Sequence, residues 1–372
     1  MIDALDKIGE GLTNAGLMAW EVWWALVLGF AISAVVQAWV PRERIEAALS
    51  GGGAAPVAKS TGLGAASSSC SYAAIAIARS LFAKGASAAS ALAFQFASTN
   101  LVWELGLVLW ILIGWQFTLA EFIGGAVMIV LMAAMLRLFV SRREEERARR
   151  HAQEAAAEHE HHSAGSNLPW RERVLSADAW SDVADNFRAD WQMLWKEITI
   201  GFLLAGYIAL LGEDFFNDLF LSGESGALPT LWNVVVGPII AVASFVCSIG
   251  NVPLAAVLWS GGISFAGVMA FIFADLIVLP IIAAYRKYYG WSFAWRITAL
   301  MFVTMVLAAL AIDGLFAALD LIPSDRPSTE DVFGEIELNY KALLNAIALG
   351  VFAALIGMTM RHNAADPAHG HD

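Results

Sequence analysis

The sequence predicts an all-α polytopic membrane protein made of two inverted-topology repeats and one extra C-terminal span. The chain has 372 residues and is 59% hydrophobic but only 15% charged, whereas soluble domains average about 25% charged residues. Apolar runs of about 20 residues, the length a helix needs to cross a bilayer core, recur along most of the chain. Its two cysteines, Cys70 and Cys247, occupy matching positions of an internal repeat.

The apolar runs divide into two groups of three, separated by a charged stretch, with one further run near the C terminus. The N terminus has no basic cluster followed by a short apolar core, so we expect the first span itself to direct insertion. The predicted full spans are 18–40, 86–113, 117–140, 191–212, 262–285, 291–313 and 340–360.

The repeat aligns residues 69–101 with 246–278 without a gap, giving 11 identities in 33 positions. It pairs Cys70 with Cys247 and Ser71 with Ser248. Biased membrane composition would not by itself place the two cysteines in register. Duplicated halves are typical of secondary transporters.

Two further apolar segments, 51–84 and 226–261, are interrupted by the small and polar sequences SSSCS and CSIGNVP. Interruptions of this kind break membrane helices. We therefore interpret each segment as a re-entrant helical hairpin bent near its cysteine. Each half then has three full spans, and this odd number inverts the second half. The alternative is that both segments span fully, giving nine crossings.

The loop charges predict the orientation. If the linker 141–190 is cytoplasmic, most loop Lys and Arg residues are cytoplasmic too, as the positive-inside rule requires. Nine crossings would instead put Arg79 and Lys84 outside. We expect a multi-pass protein of the bacterial inner membrane with an extracytoplasmic N terminus. Its predicted regions are a first membrane repeat (1–140), a cytoplasmic charged and His-rich linker (141–190), a second membrane repeat (191–315), an outer loop and C-terminal span (316–361), and a cytoplasmic tail (362–372).

Broken helices in a bilayer expose backbone groups and helix-dipole ends, which can bind a polar or ionic substrate. Small residues also let helices pack closely, and Ser can bond to its own helix, so a purely structural role is the alternative. The residues predicted to line a substrate site are Cys70, Ser71, Cys247, Ser248, Asn251 and Asn100.

The two cysteines are also candidate metal ligands. Thiolates favour soft ions such as Cu(I), Zn(II) or trivalent arsenicals. The alternative is that each is an inert packing residue. Because residues related by a pseudo-twofold axis are neighbours only near that axis, we expect Cys70 and Cys247 to approach each other near the midplane.

Two acids, Glu104 and Asp275, lie deep in predicted spans, where ionisable groups are costly and usually functional. We predict that they couple ion movement to transport; the alternative is a structural hydrogen bond. The acids interpreted as lying near span ends, without a function, are Glu21, Glu121, Glu197 and Asp313.

Several function classes are excluded by missing motifs. The sequence has no phosphate-binding glycine loop, HExxH, CxxC or Ser/His/Asp set, and no basic face interleaved with aromatic residues. We therefore expect no enzyme activity, no cofactor and no nucleic-acid partner. The expected partners are membrane lipid and a small solute or ion, and a homo-oligomer is left open. All seven histidines lie in the linker or tail, where metal capture is the alternative to a solvated stretch.

Three segments resemble the bacterial predicted-permease family that includes the organoarsenical efflux permeases: 67–87, 96–106 and CSIGNVPLAAVLWSGGIS (247–264). The resemblance implies an inner-membrane permease, in some members one that exports trivalent organoarsenicals. Efflux members commonly carry Cys-Ser-Cys and a Pro-Leu pair in the first motif. Here Cys70-Ser71 precedes Tyr72-Ala73 instead, so one thiol is absent.

The sequence thus predicts a permease that moves a small solute or ion through a midplane site formed by the two Cys-Ser breaks. No nucleotide-binding motif is present, so we expect coupling to an ion gradient, with soft metal or metalloid efflux as one form of the activity. The alternative is a non-transporting scaffold or sensor that acts through its linker. A scaffold has little reason to keep Glu104 and Asp275 in the bilayer.

Overall fold

The structure is a computed structural model, and its described part is helical without a β-strand. The described residues are 2–39, 53–67, 71–83, 85–157, 177–211, 213–221, 227–244, 248–326 and 340–365. Short 3-10 helices follow two of the α-helices, at Ala209–Leu211 and Ala274–Ile277. The α-helices are α1 (Ile2–Trp39), α2 (Ala54–Ser67), α3 (Ser71–Ala83), α4 (Ala88–Asn100), α5 (Trp103–Ile113), α6 (Trp115–Phe139), α7 (Arg142–Ala157), α8 (Ala177–Ile208), α9 (Glu213–Phe220), α10 (Ala227–Ser244), α11 (Ser248–Ser260), α12 (Phe265–Phe273), α13 (Leu279–Tyr289), α14 (Trp291–Ala318) and α15 (Tyr340–Ala365).

Four described helices are long and apolar enough to cross a membrane: α6, α10, α14 and the Lys341–Met360 part of α15. Three bent pairs would raise the number to seven if each pair is one span. Two of these pairs are α4 with α5, bent by 42°, and Phe265–Ile277 with α13, bent by 41°. By length and composition the chain is therefore a multi-pass membrane protein. Within the predicted span 191–212, the apolar part of the described helix is Ile198–Leu211, which is shorter than the length needed to cross a membrane.

Helix α6 shows how the spans meet both protein and lipid. One stripe, with Phe117, Gly124 and Met128 among its members, is buried against other helices. On the opposite side Val130 is 69% exposed. A helix that is apolar on its protein-facing and outer faces alike is suited to contact with lipid.

The helix boundaries repeat along the chain. α3 and α11 each contain 13 residues, and their first residues, Ser71 and Ser248, are 177 positions apart. The same separation relates α4 to the stretch 265–277, which is α12 followed by a 3-10 turn. The sequence repeat therefore coincides with a repeat of helix boundaries.

The turns before α4 and α12 are built alike. Gly85 and Gly262 adopt positive φ angles of 110° and 101°, which glycine tolerates without a steric penalty. The N-cap hydroxyls of Ser87 and Ser264 each accept a hydrogen bond from the backbone N–H three residues later, at 3.1 Å in both turns. These caps satisfy backbone N–H groups that the first turn of a helix leaves unpaired.

An arginine clasps each of these turns. Arg149 donates to the carbonyls of Phe82 and Ala86, the second at 2.8 Å, and its guanidinium lies 4.4 Å from the Phe82 ring centroid. Arg326, 177 positions later in the sequence, donates to the carbonyls of Trp259 and Ile263 at 2.8 Å and lies 4.0 Å from the Trp259 ring. Both arginines thus combine a cation–π contact with hydrogen bonds to carbonyls at the end of a helix.

Helix α7, at the start of the linker, is a separate element. Ser141 and Glu144 form a reciprocal capping box, in which Ser141 N donates to Glu144 Oε2 at 3.0 Å and Glu144 N donates to Ser141 Oγ at 3.3 Å. Ser141 Oγ also donates to Glu144 Oε2 at 2.8 Å. These Ser141 hydrogen bonds, from the backbone first, lower the pKa of Glu144. Glu144 also pairs with Arg296 at 2.8 Å, and Gln153 donates to the Ala83 carbonyl at 2.9 Å. Helix α7 packs against α3 and α13.

A polar side chain from α15 accounts for the bend in α1. The segments Asp6–Trp20 and Val22–Ile32 differ in direction by 50°. The Asn345 amide accepts from Trp24 N at 3.0 Å and donates to the Trp20 carbonyl at 2.9 Å. In a regular helix those two backbone groups would bond each other, so Asn345 replaces one rung of the ladder and produces a kink.

The Arg149 clasp predicts a measurable stability loss. Arg149→Ala removes two charge-assisted hydrogen bonds and should lower the free energy of unfolding by about 1–3 kcal/mol. The matched control is Arg150→Ala, because Arg150 is exposed on the same helix. Thermal unfolding of the detergent-purified proteins gives the melting temperature of each variant. Equal melting temperatures for Arg149→Ala and Arg150→Ala would contradict the stabilising role of the Arg149 clasp.

Candidate substrate site at the helix breaks

Two serines, one from each repeat, meet inside the helical bundle. Ser71 is the first residue of α3 and Ser248 the first of α11, and their hydroxyl oxygens are 3.5 Å apart. Both hydroxyls donate to the same oxygen, Oδ2 of Asp275, the Ser71 bond measuring 3.4 Å. All three side chains are buried. The predicted site residues Ser71, Ser248 and Asp275 therefore form one cluster.

Asp275 lies at a second kind of break, the 3-10 turn Ala274–Ile277 between α12 and α13. The other carboxyl oxygen, Oδ1, has no hydrogen-bond partner among the described residues. One oxygen is thus fully satisfied while the other is available to a bound group.

In the first repeat, the corresponding place is the junction of α4 and α5. Buried polar side chains also lie there, at the end of α4. Ser67 and Ser98 share a hydrogen bond of 3.2 Å, which joins the end of α2 to α4. Asn100 donates to Thr99 Oγ1 at 2.8 Å and to the Phe96 carbonyl at 3.1 Å. Its carbonyl oxygen has no partner among the described residues, although the side chain is fully buried.

Asn251 links α11 to α10. Its Oδ1 accepts from Ser244 at 3.3 Å, so it links α11 back to the last residue of α10. The side chain is fully buried, and its Nδ2 lacks a partner in the described part of the chain. Asn251 lies three residues after Ser248 and therefore on the same side of α11.

Glu104 has a different setting from Asp275. It lies in the first turn of α5, where unpaired backbone N–H groups and the helix dipole favour a carboxylate. Its side chain is 4% exposed, and a Cβ on Gly29 of α1 would lie 2.7 Å from its own Cβ. The structure thus packs Glu104 closely against α1.

The two cysteines, with Ser68 and Ser69, lie outside the described residues. Their sequence neighbours Ser71 and Ser248 are described, and those two meet. Across the described ranges, no group of three or more His, Cys, Asp or Glu side chains could hold a metal ion.

Comparison with known proteins agrees with a membrane transport protein. The family described as "Predicted permease" matches residues 8–314. The chain belongs to this family. A Mycobacterium tuberculosis (strain ATCC 25618 / H37Rv) protein named "Putative permease Rv2963" is 48% identical over 304 residues, covering 80% of this chain and 74% of that protein. The resemblance identified from the sequence is confirmed. No solved structure matches the chain.

In this permease the structure also shows buried polar residues that the sequence reasoning missed. Glu121, assigned to a span end, is fully buried on α6. It falls in the buried stripe with Phe117, Gly124 and Gly125, so helical periodicity could have indicated its position. Gln95 donates to the Tyr285 hydroxyl at 2.6 Å, a contact between the two repeats that no local pattern predicts.

The meeting of the two breaks can be tested by cross-linking. Ser71→Cys and Ser248→Cys, in a protein whose native cysteines are replaced by serine, should form a disulfide, because hydroxyls 3.5 Å apart are compatible with Cβ separations of about 3.5–4.5 Å. A protease site inserted within 158–176 makes the bond visible, since the two halves stay joined on non-reducing gels.

The control for the cross-link pairs Ser71→Cys with Ser264→Cys. Ser264 precedes Asp275 by about 11 residues of helix, or roughly 16 Å. If the two halves separate in the Ser71/Ser248 pair, or join equally in the control, the two breaks do not meet.

Proposed function

We propose that this chain transports a small solute or ion through the site where its two helix breaks face each other. One observation carries the proposal. Ser71 and Ser248, 177 positions apart in sequence, each begin a helix and share the buried carboxyl of Asp275. Polar groups buried in a bilayer are costly and are typically retained for substrate or ion movement.

We propose further that the two repeats have inverted topology, with 51–84 and 226–261 as re-entrant hairpins, the N terminus outside and the linker in the cytoplasm. The matched boundaries of α3 and α11, and the matched arginine clasps, support a common hairpin plan. Inverted hairpins would bring both breaks to the same depth while opening toward opposite sides of the bacterial inner membrane. Many alternating-access transporters are built from inverted-topology repeats with discontinuous helices at the midplane.

The chemistry at the breaks suggests the substrate class. Ser71, Ser248 and Asn251 offer hydroxyl and amide groups, and Cys70 and Cys247 immediately precede the two serines. A thiol at each break would add two soft ligands, which suits a soft metal or metalloid ion. We propose efflux of such an ion as the form of transport to test first.

Coupling is assigned to the buried acids. Asp275 contacts both breaks, so a change in its charge would act directly on the hydrogen bonds that join them. Glu104 is the second candidate, at the start of α5. Movement of a cation onto and off such carboxyls can drive a solute against its gradient.

A substrate screen tests the function itself. A strain deleted for this gene, and the same strain carrying the gene on a plasmid, would be compared for growth and uptake with soft metals, trivalent arsenicals and sulfur anions. Restored resistance or altered accumulation of one compound supports transport. Identical behaviour of both strains toward every compound would contradict the proposed substrate class.

Asp275→Asn should abolish most transport of the compound so identified. The change keeps the side chain's size and removes its charge, so we expect at least about a tenfold lower rate with normal membrane levels. Asp313→Asn is the matched control, because Asp313 is only half-buried on α14. A wild-type rate and pH dependence in Asp275→Asn would exclude the coupling role.

The double variant Cys70→Ser and Cys247→Ser tests the thiols. Serine keeps the size and polarity while removing the soft ligand, so a soft-ion transporter should show an increase in KM of about tenfold or more. Radiotracer or mass-spectrometric uptake measures KM. Unaltered transport would make the cysteines packing residues and assign binding to the Ser, Asn and backbone groups.

A further inference from the structure

Glu121 lies close to the proposed site although its position in the sequence suggested a span end. It belongs to the buried stripe of α6. One turn later on that stripe, a Cβ on Gly125 would lie 3.4 Å from the Asn100 Cβ, and a Cβ on Gly124 would meet the Phe273 ring. α6 therefore runs between the end of α4 and the end of α12, next to the turn that carries Asp275.

The Glu121 carboxyl has no hydrogen-bond partner among the described residues. Both of its oxygens are buried and unpaired among the described residues, and so are Oδ1 of Asp275 and Oδ1 of Asn100. Glu121 lies one turn from the α6 residues that contact the ends of α4 and α12, so its carboxyl shares this part of the bundle with Asp275. A buried, unpaired carboxyl is costly, and two neighbouring ones repel each other when both are ionised.

None of the hydrogen bonds of the Glu121 and Asp275 carboxyls within the described ranges comes from a Lys or Arg side chain. The titratable group of α13 that faces Asp275 is Tyr285. The other acids on helices packed against α6 are Glu104 on α5 and Asp313 on α14. Each carboxyl is therefore neutralised by taking up a proton or by a bound metal cation.

We propose that Glu121 and Asp275, with the Asn100 carbonyl oxygen, bind one small hard cation, a proton or Na⁺, that is exchanged during transport. Carboxylate and amide oxygens are hard ligands, which suit such cations rather than soft metals. This inference rests on the proposed transport function. It adds that the bound cation is the coupling ion and that Glu121 acts beside Asp275 in binding it. When the cation leaves, the uncompensated Asp275 carboxylate accepts stronger hydrogen bonds from Ser71 and Ser248, so binding and release of the cation act on the contact between the two breaks.

Thermal unfolding of the purified chain tests binding without a transported substrate. NaCl would be titrated against choline chloride at constant ionic strength, and the proton arm would repeat the measurement across pH without sodium. Ligand binding to the folded state should raise the melting temperature by about 2 °C or more. We expect this dependence to be lost in Glu121→Gln and retained in Glu154→Gln, an exposed position on α7.

A labelling experiment on the wild-type chain needs no variant to fold. Dicyclohexylcarbodiimide, an apolar carboxyl reagent, should modify Glu121 or Asp275, as located by peptide mass spectrometry. Protection by NaCl identifies sodium, and protection only by raised pH identifies the proton. Labelling that neither condition changes, or thermal profiles identical in wild type and Glu121→Gln, would overturn the cation site. Because no substrate enters either experiment, failure here leaves the substrate screen as the separate test of transport.

Discussion

The central constraint on this molecule is a carboxyl group that must be satisfied inside an apolar bundle. Asp275 is fully buried, and the hydroxyls that satisfy it come from the first residues of two different helices, α3 and α11. The N terminus of a helix carries partial positive charge, so both helix starts present their favourable ends to the carboxyl. The breaks, which would otherwise leave backbone groups unpaired in the bilayer, thereby become the source of the stabilising groups.

Because of the repeat, two helices rather than one begin beside Asp275. The two repeats differ, however, at the position of Asp275 itself. The position of Asp275 corresponds to Ser98 in the first repeat, and Ser98 bonds Ser67 of its own repeat. A single carboxyl is therefore shared by two breaks, where two symmetry-related carboxyls would repel each other. The parts of the repeat away from this position stay alike, as the clasps of Arg149 and Arg326 illustrate.

Much of this arrangement could be predicted from the sequence. The length of the apolar runs, the ungapped repeat and the Cys-Ser motifs are all visible without knowing which helices are neighbours. Apolar length predicted the multi-pass helical class, and the matched cysteines directed attention to the segments where Ser71 and Ser248 begin their helices. Glu121 was misjudged because distance from a span end was used in place of helical phase. The insertion of Asn345 into α1 and the Gln95–Tyr285 bond depend on which helices are neighbours. Periodicity within one helix carries no such information.

Transport through the break region requires this region to be reached from both sides of the membrane, and chemical accessibility measures this most directly. A single cysteine at position 248, in a protein otherwise lacking cysteine, would be treated with a membrane-impermeant methanethiosulfonate reagent applied to right-side-out or to inside-out vesicles. An alternating-access site predicts modification from both sides, at rates that shift in opposite directions when transported compound is added. Modification from one side only, or from neither, would contradict the claim that the two breaks form the transport site.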